Sequence, residues 1–375
     1  MTFEVGVSAS AGRFFLCIAA PLGYTAPMAK EVKHTTLYRA YRPTDWKEVR
    51  GQAQVTDTLE KSIKNGKIAH AYLFSGGRGT GKTSVARILA AKLGVSDKDL
   101  YEMDAASNRG IDDIRELREG VYAMPFESKY KFYIIDEAHM LTKEAWNAFL
   151  KTLEEPPAHV IFVLATTERD KVPETIQSRC EIYTFKQPTR EILAGIVTDI
   201  AKKEGYSLER SAAELVALLA EGSFRDALGI LQKVLAVTKD KKIDVAEVEA
   251  VSGAPRGEIV RQILSGLAKK DAPSALKAMN TAIGENMDAR TLCKLLIHRM
   301  RVVLLMRYAP ALSGELGSEL TEADLALAKE LSKEPAVNSD MLRALLETYG
   351  TMAYAAVPHL PLELAIVDVC AQKPV

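Results

Sequence analysis

Two short segments of this sequence carry residue types that handle phosphate. The first, GGRGTGKT, spans residues 76–83 and matches the pattern G-x-x-x-x-G-K-[ST]. Glycines let backbone N–H groups approach a phosphate, the lysine neutralises its charge, and the threonine hydroxyl can ligate Mg²⁺. The whole segment is predicted to contact a nucleotide, through Gly76, Gly77, Arg78, Gly79, Thr80, Gly81, Lys82 and Thr83.

The second segment, KFYIIDEAHM at residues 131–140, is an apolar run that ends in two carboxylates. Asp136 stands where the second magnesium ligand of a P-loop NTPase belongs, and Glu137 could polarise the attacking water as a general base. An acidic pair after an apolar run is usually a solvated strand end, but together with residues 76–83 it predicts ATP hydrolysis. We expect His139 to be a packing or hydrogen-bonding residue rather than a catalytic one.

These groups need a scaffold that brings them together, and the hydrophobic pattern predicts one. Strand and helix patterns alternate from about residue 37 to 186, which predicts a parallel sheet with helices on both faces, an α/β fold. The strands read as nearly unbroken apolar runs, typical of strands buried on both faces. The predicted strands are 70–76, 100–105, 131–137, 159–166 and 180–185, and the predicted helices are 82–93, 111–121 and 142–154.

Beyond Pro188 the apolar residues recur at helical spacing. Three helices are predicted before VSGAPRGE at 251–258, whose Gly and Pro are typical of a joint, and about five after it. The predicted organisation is a leader at 1–36, a nucleotide-binding domain at 37–186, a helical domain at 187–253 and a second helical domain at 254–375.

The composition is that of an ordinary globular chain of 375 residues, 47% hydrophobic and 26% charged. Its 49 basic and 49 acidic residues cancel, so any DNA site would be a local patch. The four cysteines have neither zinc-site nor disulfide spacing, which favours a reduced cytoplasmic protein without structural zinc.

The apolar run at residues 14–23 is the only hint of a membrane or signal function. It is far shorter than the ~20 residues needed to cross a bilayer, so we expect no membrane partner. Only one arginine precedes the run and no A-x-A cleavage site follows it, which also disfavours a secretory signal. We expect residues 1–27 to be a disordered leader, or to lie upstream of a natural start at Met28.

Asp136 to His139 spell DEAH, which is also the signature of one branch of helicases. Such helicases need a second RecA-like domain that closes over the nucleotide, and no second strand–helix alternation follows residue 186. LATTERD at 164–170 can imitate a helicase S-A-T box, but the remaining boxes are absent. The helicase interpretation is therefore disfavoured.

Three further motifs resemble those of AAA+ ATPases. LATT at 164–167 resembles sensor 1, where Thr167 would help to place the attacking water. QSRCE at 177–181 resembles the S-R-C motif of clamp-loader subunits, in which Arg179 would act as an arginine finger on the ATP of the adjacent subunit. EGSFRDAL at 221–228 resembles sensor 2, with Arg225 reaching the γ-phosphate. Each motif is weak alone, and their order together with the P-loop makes them strong.

From about Leu37 to its end, and most specifically through Asp226, the chain is similar to the gamma/tau family of bacterial DNA polymerase III. The resemblance is carried by residues 37–90, LYRAYRPTDWKEV to SVARILA, and by residues 139–180, HMLTKEAWNAFLKTLEEPP to QSRC. It implies an AAA+ domain, a helical lid at 187–253 and a helical collar at 254–375. It also implies an ATP- and Mg²⁺-dependent ATPase within a DNA polymerase holoenzyme, which loads the sliding clamp onto primer–template DNA.

The implied partners are sister clamp-loader subunits in a ring, the sliding clamp and primer–template DNA. Two alternatives stay open, namely a non-hydrolysing structural subunit of the same ring and another AAA+ DNA-remodelling ATPase such as a branch-migration motor. The family usually inserts a four-cysteine zinc module after the P-loop helix, whereas here only GVSDKD separates Leu93 from Leu100. No zinc is therefore expected.

A DNA contact is also implied by resemblance. DAASNRGIDDIRELRE at 104–119 is similar to the segment with which clamp loaders track a DNA backbone. Ser107, Asn108 and Arg109 precede a predicted helix N-terminus, where backbone amides and the helix dipole favour phosphate. The alternative is a helix without a ligand, because Asp112 and Asp113 already complement its first turn.

Overall fold

The computed structural model describes residues 36–285, 287–310 and 320–371. The predicted leader at 1–36, apart from Thr36, and the possible start at Met28 lie outside the described residues. Within the described ranges, no helix has the length and apolar content needed to cross a membrane.

A five-stranded parallel sheet forms the first part of the fold, in the order β2-β3-β4-β1-β5. The predicted parallel sheet is therefore confirmed, and each strand lies within one residue of its predicted bounds. The strands are β1 (Ala71–Gly76), β2 (Leu100–Asp104), β3 (Lys131–Asp136), β4 (Val160–Thr166) and β5 (Glu181–Phe185).

Only three of these strands are buried along their length. β1, β3 and β4 occupy the middle of the sheet and are buried at nearly every residue. The edge strands β2 and β5 are half exposed, so the expectation that all strands are buried on both faces was wrong for these two. Polar residues such as Glu102 and Glu181 are tolerated there because an edge strand has a neighbour on one side only.

Helices cover both faces of the sheet, as predicted. On one face Tyr72 and Phe74 of β1 pack with apolar residues of α2 and α3, whereas Leu73 packs on the opposite face with α4 and α5. This alternation follows from the two-residue period of a strand. The helices of this part are α1 (Leu37–Ala40), α2 (Ala53–Lys64), α3 (Lys82–Lys92), α4 (Ile111–Val121), α5 (Lys143–Glu154) and α6 (Glu174–Gln177).

The remainder of the described chain is helical. Six helices follow residue 254 in the described residues, where about five were predicted. The helices are α7 (Arg190–Lys203), α8 (Arg210–Leu219), α9 (Phe224–Val237), α10 (Val245–Ser252), α11 (Gly257–Ala268), α12 (Ala272–Gly284), α13 (Ala289–Tyr308), α14 (Glu322–Leu331), α15 (Ser339–Thr351) and α16 (Leu360–Ala371).

Two strands in this helical part were not predicted. β6 (Ser207–Leu208) and β7 (Lys242–Ile243) form a small parallel pair. Two residues are too few to show a period of two, so the sequence pattern carries no signal for them. One cluster of buried apolar side chains runs from α7 into α16, and the boundary predicted at residues 253 and 254 stays a prediction.

Candidate nucleotide-binding site

A cleft of about 830 Å³ opens at the carboxyl end of the sheet. The parallel register brings the ends of four neighbouring strands nearly level there. Asp104 of β2 pairs with Asp136 of β3, Ile135 of β3 pairs with Leu164 of β4, and Ser75 of β1 pairs with Thr166 of β4. β4 lies between the P-loop strand β1 and the acidic strand β3. The end of β4 is therefore placed between the predicted phosphate loop and the predicted general base.

The loop after β1 lines this cleft and leads directly into α3. Six of its eight predicted nucleotide contacts, residues 78–83, line the cleft. Gly79 and Gly81 have φ angles of +68° and +101°, which a residue with a Cβ seldom adopts. These conformations let the loop turn tightly at the N-terminus of an eleven-residue helix, where amide groups and the helix dipole favour an anion.

Lys82 is held inside this loop. Its Nζ donates to the backbone oxygens of Gly76 at 2.8 Å and Gly77 at 2.9 Å. These two glycines do not line the cleft but lie beneath the lysine. Burial lowers the pKa of Lys82, although the carboxylates of Glu137 and Asp136 act in the opposite direction. The ammonium group is thus poised for an anion that would exchange for the two carbonyl oxygens.

Thr83 and Asp136 meet across the cleft although 52 residues separate them in sequence. The Thr83 hydroxyl donates to Oδ2 of Asp136 at 2.8 Å. A hydroxyl and a carboxylate are oxygen ligands, the kind that Mg²⁺ prefers, and Mg²⁺ commonly uses one or two protein ligands together with substrate phosphates and water. The donor set fits magnesium.

Glu137 lies beside this pair in an unusual backbone conformation. Its φ of 47° is in the left-handed region, which is uncommon for a residue other than glycine. Thr167, at the end of β4, donates to Oε2 of Glu137 at 3.0 Å. Strained residues persist where the surrounding structure determines them, and they cluster at functional sites. The structure thus brings the predicted base and the predicted sensor-1 residue into contact.

Arg225 reaches the same cleft from the helical part of the chain. Ser223 caps α9, and the backbone N–H of Phe224 donates to the oxygen of Gly79 at 3.0 Å. This contact sets the first turn of α9 against the phosphate loop. Arg225, on that turn, lines the cleft, and its guanidinium carbon is 5.7 Å from the centre of the Tyr38 ring.

Known proteins are similar to this chain over most of its length. A family model described as "DNA polymerase III, delta subunit" matches residues 51–108 and 94–189. DNA polymerase III subunit tau of Bacillus subtilis is 36% identical over 362 residues, which cover 90% of this chain and 64% of that protein. The subunit tau of Escherichia coli is 31% identical, covering 92% of this chain and 56% of that protein. The chain belongs to the gamma/tau family.

A third relative, subunit gamma/tau of Mycoplasma genitalium, is 39% identical over 62% of this chain and 43% of its own length. This gamma/tau chain spans less than two thirds of each of these three relatives. Among solved structures, the Thermotoga maritima RuvB Holliday junction branch migration motor is similar to this chain, with 23% sequence identity and a TM-score of 0.49. The matched region covers 60% of this chain and 79% of the RuvB chain.

Arg179 of this gamma/tau chain does not line the cleft. Its Nη2 forms a salt bridge with Glu154 at the end of α5, at 2.6 Å, and its Nη1 donates to the oxygen of Thr175 at 2.7 Å. The side chain is 34% exposed. The predicted finger therefore lies away from its own P-loop, and its action on an adjacent subunit stays a prediction.

Ser107, Asn108 and Arg109 also lie outside the cleft, and all three are exposed. They form the turn between β2 and α4, in which the backbone N–H groups of Ser107 and Asn108 donate to the oxygen of Asp104. At the start of α4, the Asp113 carboxylate accepts from the N–H of Gly110 at 2.9 Å. Asp113 thus occupies part of this helix N-terminus, and the DNA contact at 107–109 stays a prediction.

Sequence reasoning missed the wall of the cleft formed by the segment before α2. Tyr38, Arg42 and Pro43 line the same cleft as the phosphate loop. Burial, with Arg87 nearby, lowers the pKa of the Arg42 guanidinium. Gln52 is fully buried and exchanges two hydrogen bonds with the backbone of Lys186, which ties this segment to the end of the sheet. The available signal was YRAYRPTDW, a polar and aromatic segment without any chemical motif.

Proposed function

We propose that this chain is the ATP-driven motor subunit of the DNA polymerase III clamp loader, which hydrolyses ATP to load a sliding clamp onto primer–template DNA. The observation that carries the proposal is the contact between Thr83 and Asp136, with Lys82 and Glu137 in the same cleft. A site complete in these four groups favours hydrolysis over a purely structural subunit. The gamma/tau relatives supply the process in which that hydrolysis is used.

Each group has a distinct role in the proposed reaction. The loop at 78–83 surrounds the phosphates, and Lys82 neutralises the charge between the β- and γ-phosphates. Thr83 and Asp136 would hold Mg²⁺, which supplies further charge neutralisation at the phosphate oxygens. Glu137 accepts the proton of the attacking water, and Thr167 orients its carboxylate through the 3.0 Å hydrogen bond.

In this proposal, Arg225 and the arginine finger Arg179 act on two different ATP molecules. Arg225 reaches the γ-phosphate of its own subunit, because it lines the same cleft as the P-loop. Arg179 lies outside that cleft, and we assign it to the ATP of the adjacent subunit in a ring of sister subunits. Ring assembly would use the collar at 254–375, and the lid at 187–253 would carry Arg225.

The proposed DNA contact is the exposed turn at 107–109. A single turn of this kind would contribute little, but a ring places several copies along one duplex, which raises the effective affinity. The sliding clamp is the other proposed partner, and the cytoplasm is the proposed place of action.

Two substitutions test the proposed chemistry. Lys82→Ala should abolish nucleotide binding, whereas Glu137→Gln should bind ATP at the parental affinity and lose turnover. Binding is measured with a fluorescent ATP analogue, and turnover with phosphate release from the chain assembled with sister subunits. Parental turnover by Glu137→Gln would show that another group is the base. ATP-dependent closure of a clamp on primed circular DNA then tests the loading function itself.

A further inference from the structure

His139 is almost completely enclosed by groups that belong to the reaction site. Its side chain is 6% exposed. Nδ1 lies 3.0 Å from the hydroxyl of Thr166 and 3.5 Å from Oε2 of Glu137, and Nε2 lies 3.3 Å from Oε1 of Glu168. The imidazole therefore lies near the proposed base and Thr166 at Nδ1 and near Glu168 at Nε2, so its neighbours include both residues that flank Thr167.

We propose that His139 is a positioning residue that fixes the Glu137 carboxylate for ATP hydrolysis. The inference rests on the proposed function, since it concerns the base of that reaction. It goes beyond the expected role of His139 as a packing or hydrogen-bonding residue, because it makes the rate of hydrolysis depend on one nitrogen of the ring.

The ring has defined partners at both ends. Oε1 of Glu168 faces Nε2 at 3.3 Å, and because an ionised carboxylate can only accept, the tautomer with its proton on Nε2 suits this neighbour. Lys171 holds the pKa of Glu168 below its ordinary value and so favours that ionised state. Thr166 accepts from the N–H of Glu168 at 3.0 Å, which leaves its hydroxyl proton to be shared with Nδ1. The imidazole orientation is thus fixed from opposite sides.

A fixed ring in this place acts on Glu137 by two routes. The ring edge at Nδ1 lies 3.5 Å from Oε2 and limits the positions that the carboxylate can take. The hydrogen bond between Nδ1 and Thr166 holds the end of β4, where the next residue, Thr167, donates to Oε2 at 3.0 Å. The Thr167 hydrogen bond engages Oε2 and leaves Oε1 for the attacking water. Because the backbone of Glu137 is in the left-handed conformation, its carboxylate depends on such neighbours for its orientation.

Asparagine and glutamine at position 139 separate positioning from packing. An asparagine amide reaches about as far as Nδ1 and can still bond to Thr166, whereas a glutamine amide reaches about as far as Nε2 and can bond to Glu168. If His139 positions Glu137 through Nδ1, the smaller His139→Asn should be the better replacement. A role in packing alone predicts the opposite order, because glutamine fills more of the space.

The experiment measures nucleotide affinity, melting temperature and ATP turnover of the full chain assembled with sister subunits. His139→Ala and His139→Gln should each lower turnover about 100-fold, the cost of a small misplacement of a catalytic group, with nucleotide affinity within about threefold of the parent. His139→Asn should recover turnover to within about tenfold. Adding His139→Ala to Glu137→Gln should cause no further loss, because the two changes act on the same step.

The inference is overturned if His139→Ala turns over ATP within threefold of the parent, or if turnover follows side-chain volume so that glutamine exceeds asparagine. If the alanine variant does not fold, the order of the asparagine and glutamine variants decides alone. Glu137→Gln is the control for the proposed function. If Glu137→Gln is fully active, Glu137 is not the base and the proposed function fails as well. If Glu137→Gln is inactive and His139→Ala is active, only the positioning role of His139 fails.

Discussion

The groups that handle ATP and the groups assigned to an outside partner are held in very different ways. In the cleft, Lys82 bonds within the P-loop, Thr83 bonds to Asp136 of β3, and Glu137 accepts from Thr167, which follows β4. The His139 side chain, next to Glu137, is almost fully enclosed. Arg179 instead pairs with Glu154 at the surface, where the side chains are 34% and 47% exposed. The turn at 107–109 is exposed as well.

The difference shows which parts of the site are complete within one chain. Exposed ion pairs contribute about 0–1 kcal/mol, so Arg179 can exchange Glu154 for a phosphate at small cost. The Glu137 side chain is 32% exposed, about as much as that of Arg179, but Glu137 bonds to another group of the same site, and breaking such a contact leaves a half-buried polar group without its partner. Substitutions in the cleft should therefore act on the isolated chain, whereas substitutions outside it should act only when the partner is present.

The sharpest test of this contrast is Arg179→Ala. Arginine fingers contribute about 10³–10⁵ to turnover in related phosphoryl-transfer systems. We expect a loss of that order in the assembled ring, with unchanged ATP affinity of the isolated chain, measured by phosphate release and by nucleotide titration.

Mixed rings provide the control for Arg179. Subunits with Arg179→Ala keep a P-loop, and subunits with Lys82→Ala keep the finger, so a mixture should recover part of the activity that neither variant shows alone. If rings form and the mixture stays inactive, Arg179 does not act on the neighbouring site and the contrast between the two regions fails.

A second test concerns the contact between the phosphate loop and α9. A Cβ at Gly79 would clash with the Ser223 hydroxyl oxygen, and the φ of Gly79 is +68°. Gly66 has nearly the same φ, +66°, but no atom within 4 Å of a Cβ, so Gly66→Ala measures backbone strain alone, about 1–2 kcal/mol. Gly79→Ala should cost a further ~1–3 kcal/mol from overpacking, measured by urea unfolding.

Nucleotide affinity separates the two alanine variants further. Gly79→Ala should weaken binding by about tenfold or more because the clash moves the loop, and Gly66→Ala should leave binding unchanged. Equal losses of stability and affinity in both variants would mean that α9 moves away from the added Cβ at little cost. The phosphate loop would then be less firmly held than the remainder of the cleft.

The smallest expected effect is that of Arg109→Ala. If the exposed turn contacts a DNA phosphate, the slope of log affinity against log salt should fall by about one for each engaged subunit, with no effect on ATP binding. Arg115→Ala on the adjoining helix α4 is the matched control, since Arg115 is already paired with Asp112 at 2.9 Å. An equal change in both variants would indicate general charge rather than a phosphate contact.

Much of the fold could be predicted because its signals are local. The strand bounds agree within one residue because an apolar run bounded by turns is visible in a few consecutive residues. The exposed edges were missed because strand order is a non-local property, and β2 and β5 are edges only through the order β2-β3-β4-β1-β5. The two-residue strands β6 and β7 are defined only by pairing with each other.

The sequence alone determined the phosphate loop, the acidic strand end and the order of the motifs, since each depends on residue types at short spacing. Only the tertiary structure decided that Thr83 meets Asp136, that Thr167 meets Glu137, and that Tyr38 and Arg42 wall the cleft. The physical reason is the parallel sheet, which aligns the ends of strands that are distant in sequence. A lone histidine gives no motif in the sequence. Thr166, Glu137 and Glu168 surround His139 only because β3 and β4 end side by side.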